Sequence, residues 1–199
     1  IVLAPGPHYP PYLAYPQMFG ATTLEYKLKP DDDWKLDFDD IESKMSDDVK
    51  LLVLINPNNP CGAVAGKDEI FRILSIARKW PNCIVIADEI YDGLDFTGEH
   101  RSVASLSPDV PVFVLNGVST VYYAPGWRIG YLGMHDPQGR LVSIRDGIER
   151  LLRSRLCAST PAQMGYLAGL DGDRSWMKSY SDKITVSYTH LRAHETDLN

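Results

Sequence analysis

The chain has 199 residues, of which 44% are hydrophobic and 23% charged, and its formal net charge is −6 at pH 7. This composition is normal for a soluble folded domain with one substantial core. Because no block of Lys or Arg stands out, the composition argues against nucleic acid or an anionic membrane as a partner and favours small-molecule chemistry.

The first half of the chain predicts buried strands and one helix. Residues 1–4 are apolar and end at a proline, which predicts the middle of a strand entering a turn, and residues 21–26 predict a second, partly alternating strand. Residues 51–55 and 83–87 are continuously apolar, as strands buried on both faces are. Apolar residues recur at helical spacing over 67–80, which predicts an amphipathic helix between those two strands.

The second half continues the alternation of strands and helices. Residues 112–116 and 129–132 predict two further strands, and the leucines and isoleucines of 141–156 predict a long amphipathic helix. Ser159 or Thr160 is suited to cap the next helix, with a proline in its first turn. Buried strands alternating with helices predict a three-layer α/β/α domain around a mostly parallel sheet.

The last segment, residues 186–199, has neither a helical stripe nor strand alternation. It resembles translated sequencing-adapter DNA, and we set it apart from a domain that we expect to span residues 1–185. His190 and His194 stand four residues apart, but in such a tail we expect no metal site. No segment of the chain has the roughly 20 consecutive apolar residues of a membrane span.

The cysteines and the start of the chain indicate its surroundings. Cys61, Cys83 and Cys157 lie far apart and form no Cys-x-x-Cys pair, which favours reduced thiols over disulfides or a zinc site. The N-terminus lacks the charged start and cleavage site of a signal peptide, and it has no initiator Met. We therefore expect a cytoplasmic protein whose chain begins inside a domain.

Polar residues follow three of the predicted strands, at the ends where open α/β sheets bind ligands. Asn59 lies in a loop that two Asn-Pro steps keep extended, and Asp88 follows 83–87, where a buried carboxylate needs a partner. Arg128 follows the third strand, in the segment between Trp127 and Gly130, and is a candidate anion ligand. Singly these residues also fit a tight turn, a backbone-bonded carboxylate and a surface charge. Together and in this order they favour one ligand site.

The motifs around these residues resemble those of a known family. The chain reads Asn-Pro-Asn-Asn-Pro-Cys-Gly at 56–62, Asp-Glu-Ile-Tyr at 88–91, and Asn-Gly-Val-Ser-Thr with a later Pro-Gly-Trp-Arg-Ile-Gly-Tyr within 116–131. This pattern is similar to that of the fold-type I aminotransferases of the aspartate/alanine group, over about residues 1–184. Three segments resemble the alanine-aminotransferase-like branch most: residues 98–100, 116–133 and 155–163.

The resemblance implies pyridoxal 5'-phosphate as cofactor and a role for each matching residue. Tyr9 matches the aromatic residue that stacks on the pyridine ring. Asn59 and Tyr91 match the groups that hydrogen-bond the phenolic oxygen of the ring. Asp88 matches the carboxylate that keeps the ring nitrogen protonated, so that the ring can withdraw electrons from the substrate carbon.

The phosphate side of this site departs from the family pattern at one position. Arg128 matches the guanidinium that grips the phosphate, and Ser119 lies beside that group. The resemblance places the Schiff-base lysine directly after Ser119, where this chain has Thr120. Such a lysine holds the cofactor and moves the proton between the substrate's α-carbon and the cofactor, and threonine has no amine for either task. The lysines at 67, 79 and 178 lie in other segments.

The resemblance implies transfer of an amino group between alanine, or a similar amino acid, and a 2-oxo acid such as 2-oxoglutarate. We expect the chain as written to be inactive, through a sequence error or a substitution at Thr120 rather than as a natural pseudoenzyme. A pyridoxal-phosphate-dependent C–S lyase and a non-catalytic cofactor-binding protein remain alternatives. A dinucleotide-dependent dehydrogenase is excluded because no Gly-x-Gly-x-x-Gly follows a strand.

The resemblance also implies parts that lie outside this chain. In the family a Gly/Ser phosphate-binding loop precedes the matching stretch. A small domain that carries the arginine for the substrate carboxylate follows it. We therefore expect the chain to be a partial large domain, covering roughly half of an enzyme whose intact form is a homodimer.

Overall fold

The computed structural model describes residues 1–184, so the prediction for the tail at 186–199 lies outside the described residues. The strands are β1 Val2–Gly6, β2 Thr23–Lys29, β3 Lys35–Leu36, β4 Leu51–Ile55, β5 Ile84–Asp88, β6 Val112–Gly117 and β7 Gly130–His135. The helices are α1 Pro11–Met18, α2 Phe38–Lys44, α3 Lys67–Arg78, α4 Val103–Leu106, α5 Val142–Arg155 and α6 Thr160–Asp171, and residues 175–184 are also helical.

The strands form one mixed seven-stranded sheet in the order β3-β2-β1-β4-β5-β6-β7. Strands β2, β1, β4, β5 and β6 run parallel to one another, whereas β3 and β7 pair antiparallel at the two edges. The prediction of a mostly parallel sheet is therefore confirmed. Since β4, β5 and β6 are parallel neighbours, their carboxyl ends meet at one edge of the sheet.

Side chains alternate between two cores on opposite faces of the sheet. On β4, Leu52 and Leu54 belong to the larger core, whereas Val53 and Ile55 belong to a smaller cluster on the other face. Helix α3 covers the larger core with its own buried residues, which are Ile70, Ile73, Leu74, Ile76 and Ala77. Successive side chains of a strand thus point to opposite faces, and both faces are buried. A three-layer α/β/α domain requires this arrangement.

The opposite face is covered by α1 and by the segment that leads into α5. Tyr12 of α1 packs against the cluster that contains Val53. Leu141, next to the start of α5, packs with Ile84 and Phe113, and Ile148 of α5 packs against the same group. The predicted fold class, with helices on both faces, is confirmed.

The long apolar runs were predicted well and the short elements were not. The predicted strand 51–55 is β4, and the strand predicted at 83–87 is displaced by one residue. The helix predicted over 67–80 ends at Arg78, and the two later helices occur as α5 and α6, the latter with Ser159 as N-cap. Helices α1, α2 and α4 and strand β3 were missed. Within residues 1–184, no helix combines the length and apolarity needed to cross a membrane.

Candidate active site

A cavity of about 410 Å³ opens where β4, β5 and β6 end. Its walls include Ile55 and Leu115, which belong to β4 and β6, together with all of the residues that the sequence motifs singled out. These are Tyr9, Asn59, Asp88, Tyr91, Ser119, Thr120 and Arg128. The structure thus brings the candidate residues of four separate segments to one place, at the edge of the sheet where a ligand was expected.

A buried asparagine fixes the loop that carries Asn59. Asn56 is almost fully buried, and its side chain donates from Nδ2 to the carbonyl oxygen of Ala65 at 3.1 Å and accepts from the Ala65 amide at 2.8 Å. These two bonds tie the ends of the loop together. Asn59 in turn donates from Nδ2 to the Tyr91 hydroxyl at 2.9 Å, so the two residues assigned to one cofactor oxygen already contact each other. Sequence reasoning missed Asn56, although a polar residue at the end of an apolar strand was a usable signal.

Asp88, the last residue of β5, is only 9% exposed. Its Oδ2 accepts a hydrogen bond from the Tyr12 hydroxyl at 2.5 Å, and its Oδ1 accepts from the Ile90 amide at 3.3 Å. Burial raises the pKa of the Asp88 carboxyl, and the bonds from Tyr12 and Ile90 oppose that rise. The sequence indicated that this carboxylate needs a partner, but it did not identify Tyr12.

The segment that carries Ser119, Thr120 and Arg128 is anchored by a close approach of β6 and β7. A Cβ atom on Gly117 would lie 2.9 Å from the carbonyl oxygen of Ile129, and one on Gly130 would lie 2.7 Å from that of Asn116, so only glycine fits at either place.

Arg128, directly before this contact, adopts a left-handed backbone with φ of 53°. Its Nη1 donates to the Pro125 carbonyl at 2.9 Å. Non-glycine residues rarely adopt this conformation, and where they do, the surrounding structure holds them there. The bond joins the guanidinium to Pro125, which lines the same cavity.

The charges of the cavity suit a ligand that is cationic at one point and anionic at another. Asp88 and Arg128 are the charged residues among those that line it, accompanied by the aromatic ring of Tyr9 and by the hydroxyls of Ser119 and Thr120. A planar ring with a protonated nitrogen and a phosphate finds a partner for each part in this set. Among the described residues, no lysine lines the cavity, so no amine is present for a covalent bond to the ligand.

Glu89, the residue after Asp88, points to a different environment. It is 4% exposed, and its Oε1 accepts from the Val103 amide at the start of α4 at 2.8 Å. Burial raises the pKa of the Glu89 carboxyl to about 7, although the bonds from Val103 and Ser102 act in the opposite direction. Of these two neighbouring carboxylates, Asp88 therefore lines the cavity, whereas Glu89 contacts the start of α4.

Comparison with known proteins gives a match along nearly the whole chain. The profile of the family described as aminotransferase class I and II matches residues 1–198. The glutamate-pyruvate aminotransferase AlaA of Escherichia coli K12 is 37% identical over 175 residues, which are 87% of this chain and 43% of that protein. An alanine aminotransferase of Mycobacterium bovis is also 37% identical, over 87% of this chain and 41% of its own length.

Solved structures of similar proteins have the same fold. An alanine aminotransferase from Pyrococcus furiosus superposes with a TM-score of 0.93 at 44% identity, over 98% of this chain and 50% of the other. An aminotransferase from Escherichia coli gives a TM-score of 0.83 at 38% identity, over 87% of this chain and 43% of the other. The chain therefore spans about half the length of the proteins that it matches.

Proposed function

The chain belongs to the aminotransferase class I and II family, and on this basis we propose that its cavity binds pyridoxal 5'-phosphate for the transfer of an amino group between an amino acid and a 2-oxo acid. The family uses this cofactor. One observation carries the proposal, namely that the candidate residues of four segments line a single cavity at the carboxyl ends of β4, β5 and β6. Such convergence is what a built ligand site requires.

The ring of the cofactor is assigned to four residues. Tyr9 would supply a flat surface for stacking, and the Asp88 carboxylate would keep the ring nitrogen protonated. Asn59 and Tyr91, already bonded to each other at 2.9 Å, supply hydrogen-bonding groups for the phenolic oxygen. When bound, the cofactor supplies a ring that withdraws electrons from the substrate's α-carbon.

The phosphate is assigned to Arg128, with Ser119 beside it. A guanidinium has donors in a planar fork that matches phosphate oxygens, and the contact with Pro125 restricts where this fork can point. The positive charge therefore stands at one part of the cavity wall and the Asp88 carboxylate at another. This arrangement orients a ligand that carries both charges.

Thr120 decides what the chain can do after binding. Its hydroxyl cannot bond covalently to the cofactor's aldehyde, and it is far too weak a base to move the proton at the substrate's α-carbon. We therefore expect binding without turnover in this chain. The same residue favours a second candidate function, a protein that binds pyridoxal 5'-phosphate without catalysis.

The substrates, assembly and cellular location are proposed on coarser grounds. Alanine and 2-oxoglutarate are favoured because similar proteins carry the names alanine aminotransferase and glutamate-pyruvate aminotransferase. A homodimer is proposed for the intact parent from the family resemblance. The free thiols of Cys61, Cys83 and Cys157 fit the cytoplasm, a reducing compartment.

The proposal is tested by supplying the missing amine. With Thr120→Lys, pyridoxal 5'-phosphate should give a protein-bound absorbance band, and borohydride reduction should attach the cofactor covalently to the peptide that contains position 120. The original chain should bind the cofactor without this attachment. Thr22→Lys serves as the matched control for unspecific reaction with an added lysine, because Thr22 is exposed and directly precedes β2. Equal attachment in both variants would contradict the assignment of the site.

An intact, full-length relative of this chain, in which the small domain and its arginine are present, separates the reaction classes. An aminotransferase should convert alanine to pyruvate while the bound cofactor takes up the amino group. A C–S lyase should release pyruvate, ammonia and a thiol from cystathionine instead.

A further inference from the structure

We propose that Tyr12 is a positioning residue of this site, whose hydroxyl holds the Asp88 carboxylate ionised and oriented toward a cationic ring nitrogen. The inference deepens the proposed function and rests on it. Tyr12 was not among the candidate residues of the sequence, and it does not line the proposed cofactor cavity. It would act on the ligand through Asp88.

The geometry shows a short bond between two fixed elements. The Tyr12 hydroxyl lies 2.5 Å from Oδ2 of Asp88, which joins α1 to the end of β5. The Tyr12 ring packs against the apolar cluster of β1 and β4. The Tyr12 carbonyl accepts a hydrogen bond from the Thr23 hydroxyl at 3.2 Å, which links α1 to β2. Since ring and backbone are both held, the hydroxyl needs little reordering to make its bond.

The position of Asp88 between two cavities explains why it needs this partner. A second cavity of about 530 Å³ adjoins the proposed cofactor cavity. Its walls are mainly apolar and include Tyr12, Tyr15 and Phe19 of the α1 region. Tyr9, Asp88 and Leu115 line both cavities. A carboxylate that faces an apolar space needs a donor on that side, and Tyr12 supplies it.

The electrostatics of the pair agree with this role. Burial raises the pKa of Asp88, which favours the neutral acid, and the Tyr12 bond favours the ion. Burial, together with the Asp88 charge, raises the pKa of Tyr12, so Tyr12 stays a proton donor at neutral pH. Four other titratable or charged groups lie near Asp88. Tyr9, Tyr91 and Arg128 line the same cavity, and Glu89 is the next residue in the chain.

The first test needs no ligand. The pKa of the Asp88 carboxyl is measured by ¹³C NMR in the chain itself and in two variants. Tyr12→Phe removes only the hydroxyl and should raise that pKa by about 1 to 2 units, since a hydrogen bond to a charged group is lost. Tyr15→Phe is the matched control, because it removes a hydroxyl from the same helix at a position that is 60% exposed, and it should leave the pKa unchanged. An unchanged pKa in Tyr12→Phe would overturn the proposal.

The second test uses pyridoxamine 5'-phosphate, which needs no lysine for binding. Equilibrium dialysis near pH 7 should show affinity about tenfold lower in Tyr12→Phe and unchanged in Tyr15→Phe. The absorbance of the bound ring should report a less protonated nitrogen in Tyr12→Phe alone. In the Asp88→Asn background the Tyr12→Phe effect should vanish, because the two residues act as one unit. A tenfold effect that persists there would show that Tyr12 acts on the site by another route and would overturn the proposal.

The two tests also separate the inference from the function on which it rests. If the unaltered chain bound neither pyridoxal 5'-phosphate nor pyridoxamine 5'-phosphate, the proposed function would be wrong. The NMR titration would still decide whether Tyr12 holds the Asp88 charge.

Discussion

Helices α3 and α5 have similar sequence patterns and opposite surroundings. Both show apolar residues at helical spacing, but α3 buries five of its residues against the sheet, whereas in the described structure none of the residues of α5 is buried. Leu151 and Leu152 of α5 are 71% and 59% exposed. Periodicity therefore identifies the apolar face of a helix, but it does not tell which part of the molecule covers that face.

The largest expected effect on stability distinguishes the apolar face of α3 from that of α5. Ile73→Ala in α3 should lower the free energy of unfolding by about 2–5 kcal/mol, because Ile73 is fully buried and its removal leaves a cavity. Leu151→Ala in α5 should change it by no more than about 0.5 kcal/mol, as exposed positions usually do. Urea denaturation of both variants measures the difference. A loss at Leu151 as large as that at Ile73 would mean that α5 is covered in solution.

The packed side of the sheet should also respond to pH through Glu89. Its pKa rises from the ordinary 4.5 to about 7 on folding, so between these values the unfolded chain loses a proton that the folded chain keeps. Glu89 therefore makes its full contribution to the free energy of unfolding below pH 4.5. That contribution, on the order of 3 kcal/mol, is lost as the pH rises through 7.

Glu89→Gln should remove that decline, because the amide is neutral and its oxygen can still accept from Val103. Unfolding midpoints of both forms at pH 5 and pH 8 give the measurement. Relative to the original chain, the unfolding midpoint of the variant should be higher at pH 8 than at pH 5. A constant difference between the two forms would contradict a protonated Glu89 in the folded state.

Two glycines, Gly147 of α5 and Gly165 of α6, differ in the space around them. A Cβ atom on Gly165 of α6 would lie 2.6 Å from the Trp127 ring, whereas one on Gly147 of α5 would meet nothing within 4 Å. Gly165→Ala should therefore cost about 1–3 kcal/mol through overpacking. Gly147→Ala should add about 0.5–1 kcal/mol, because glycine is a poor residue inside a helix. Thermal unfolding of the two variants should move in opposite directions, and equal shifts would show that Trp127 does not pack on α6.

The smallest effect is expected at an exposed ion pair of the packed side. Arg78, the last residue of α3, donates to both carboxylate oxygens of Asp109 at 2.7 and 2.8 Å, but both side chains are partly exposed. A double-mutant cycle with Arg78→Ala and Asp109→Ala should give a coupling energy of at most about 1 kcal/mol, weaker in high salt. A larger, salt-independent value would show that this pair belongs to the buried core.

The sequence predicted the central sheet because each central strand is a continuous apolar run bounded by turn residues, as at 51–55. It predicted which residues meet in the cavity because strand ends and family motifs point to the same place. It missed α1, which contains Pro16 and has no buried residue, so neither propensity nor periodicity marks it as a helix. Tyr12 was missed with it, since its contact with Asp88 exists only once α1 lies against the sheet.

Short elements were missed for a related reason. Strand β3 comprises only Lys35 and Leu36, which are held by pairing with β2. Helix α2 is marked mainly by the Asp37 side chain, which accepts from the Asp40 amide at its start. Such elements are stabilised by tertiary contacts and single caps, which leave little trace in a window of sequence.

The pairing of Gly117 with Gly130 closes residues 118–129 into a loop with a fixed base. Ser119, Thr120 and Arg128 all belong to this loop, so they are carried as one unit whose placement depends on the ladder of β6 and β7. The side chain at position 120 takes no part in that ladder. A substitution at position 120 can therefore change the chemistry available at the cavity wall while the β6–β7 pairing still fixes the position of Arg128.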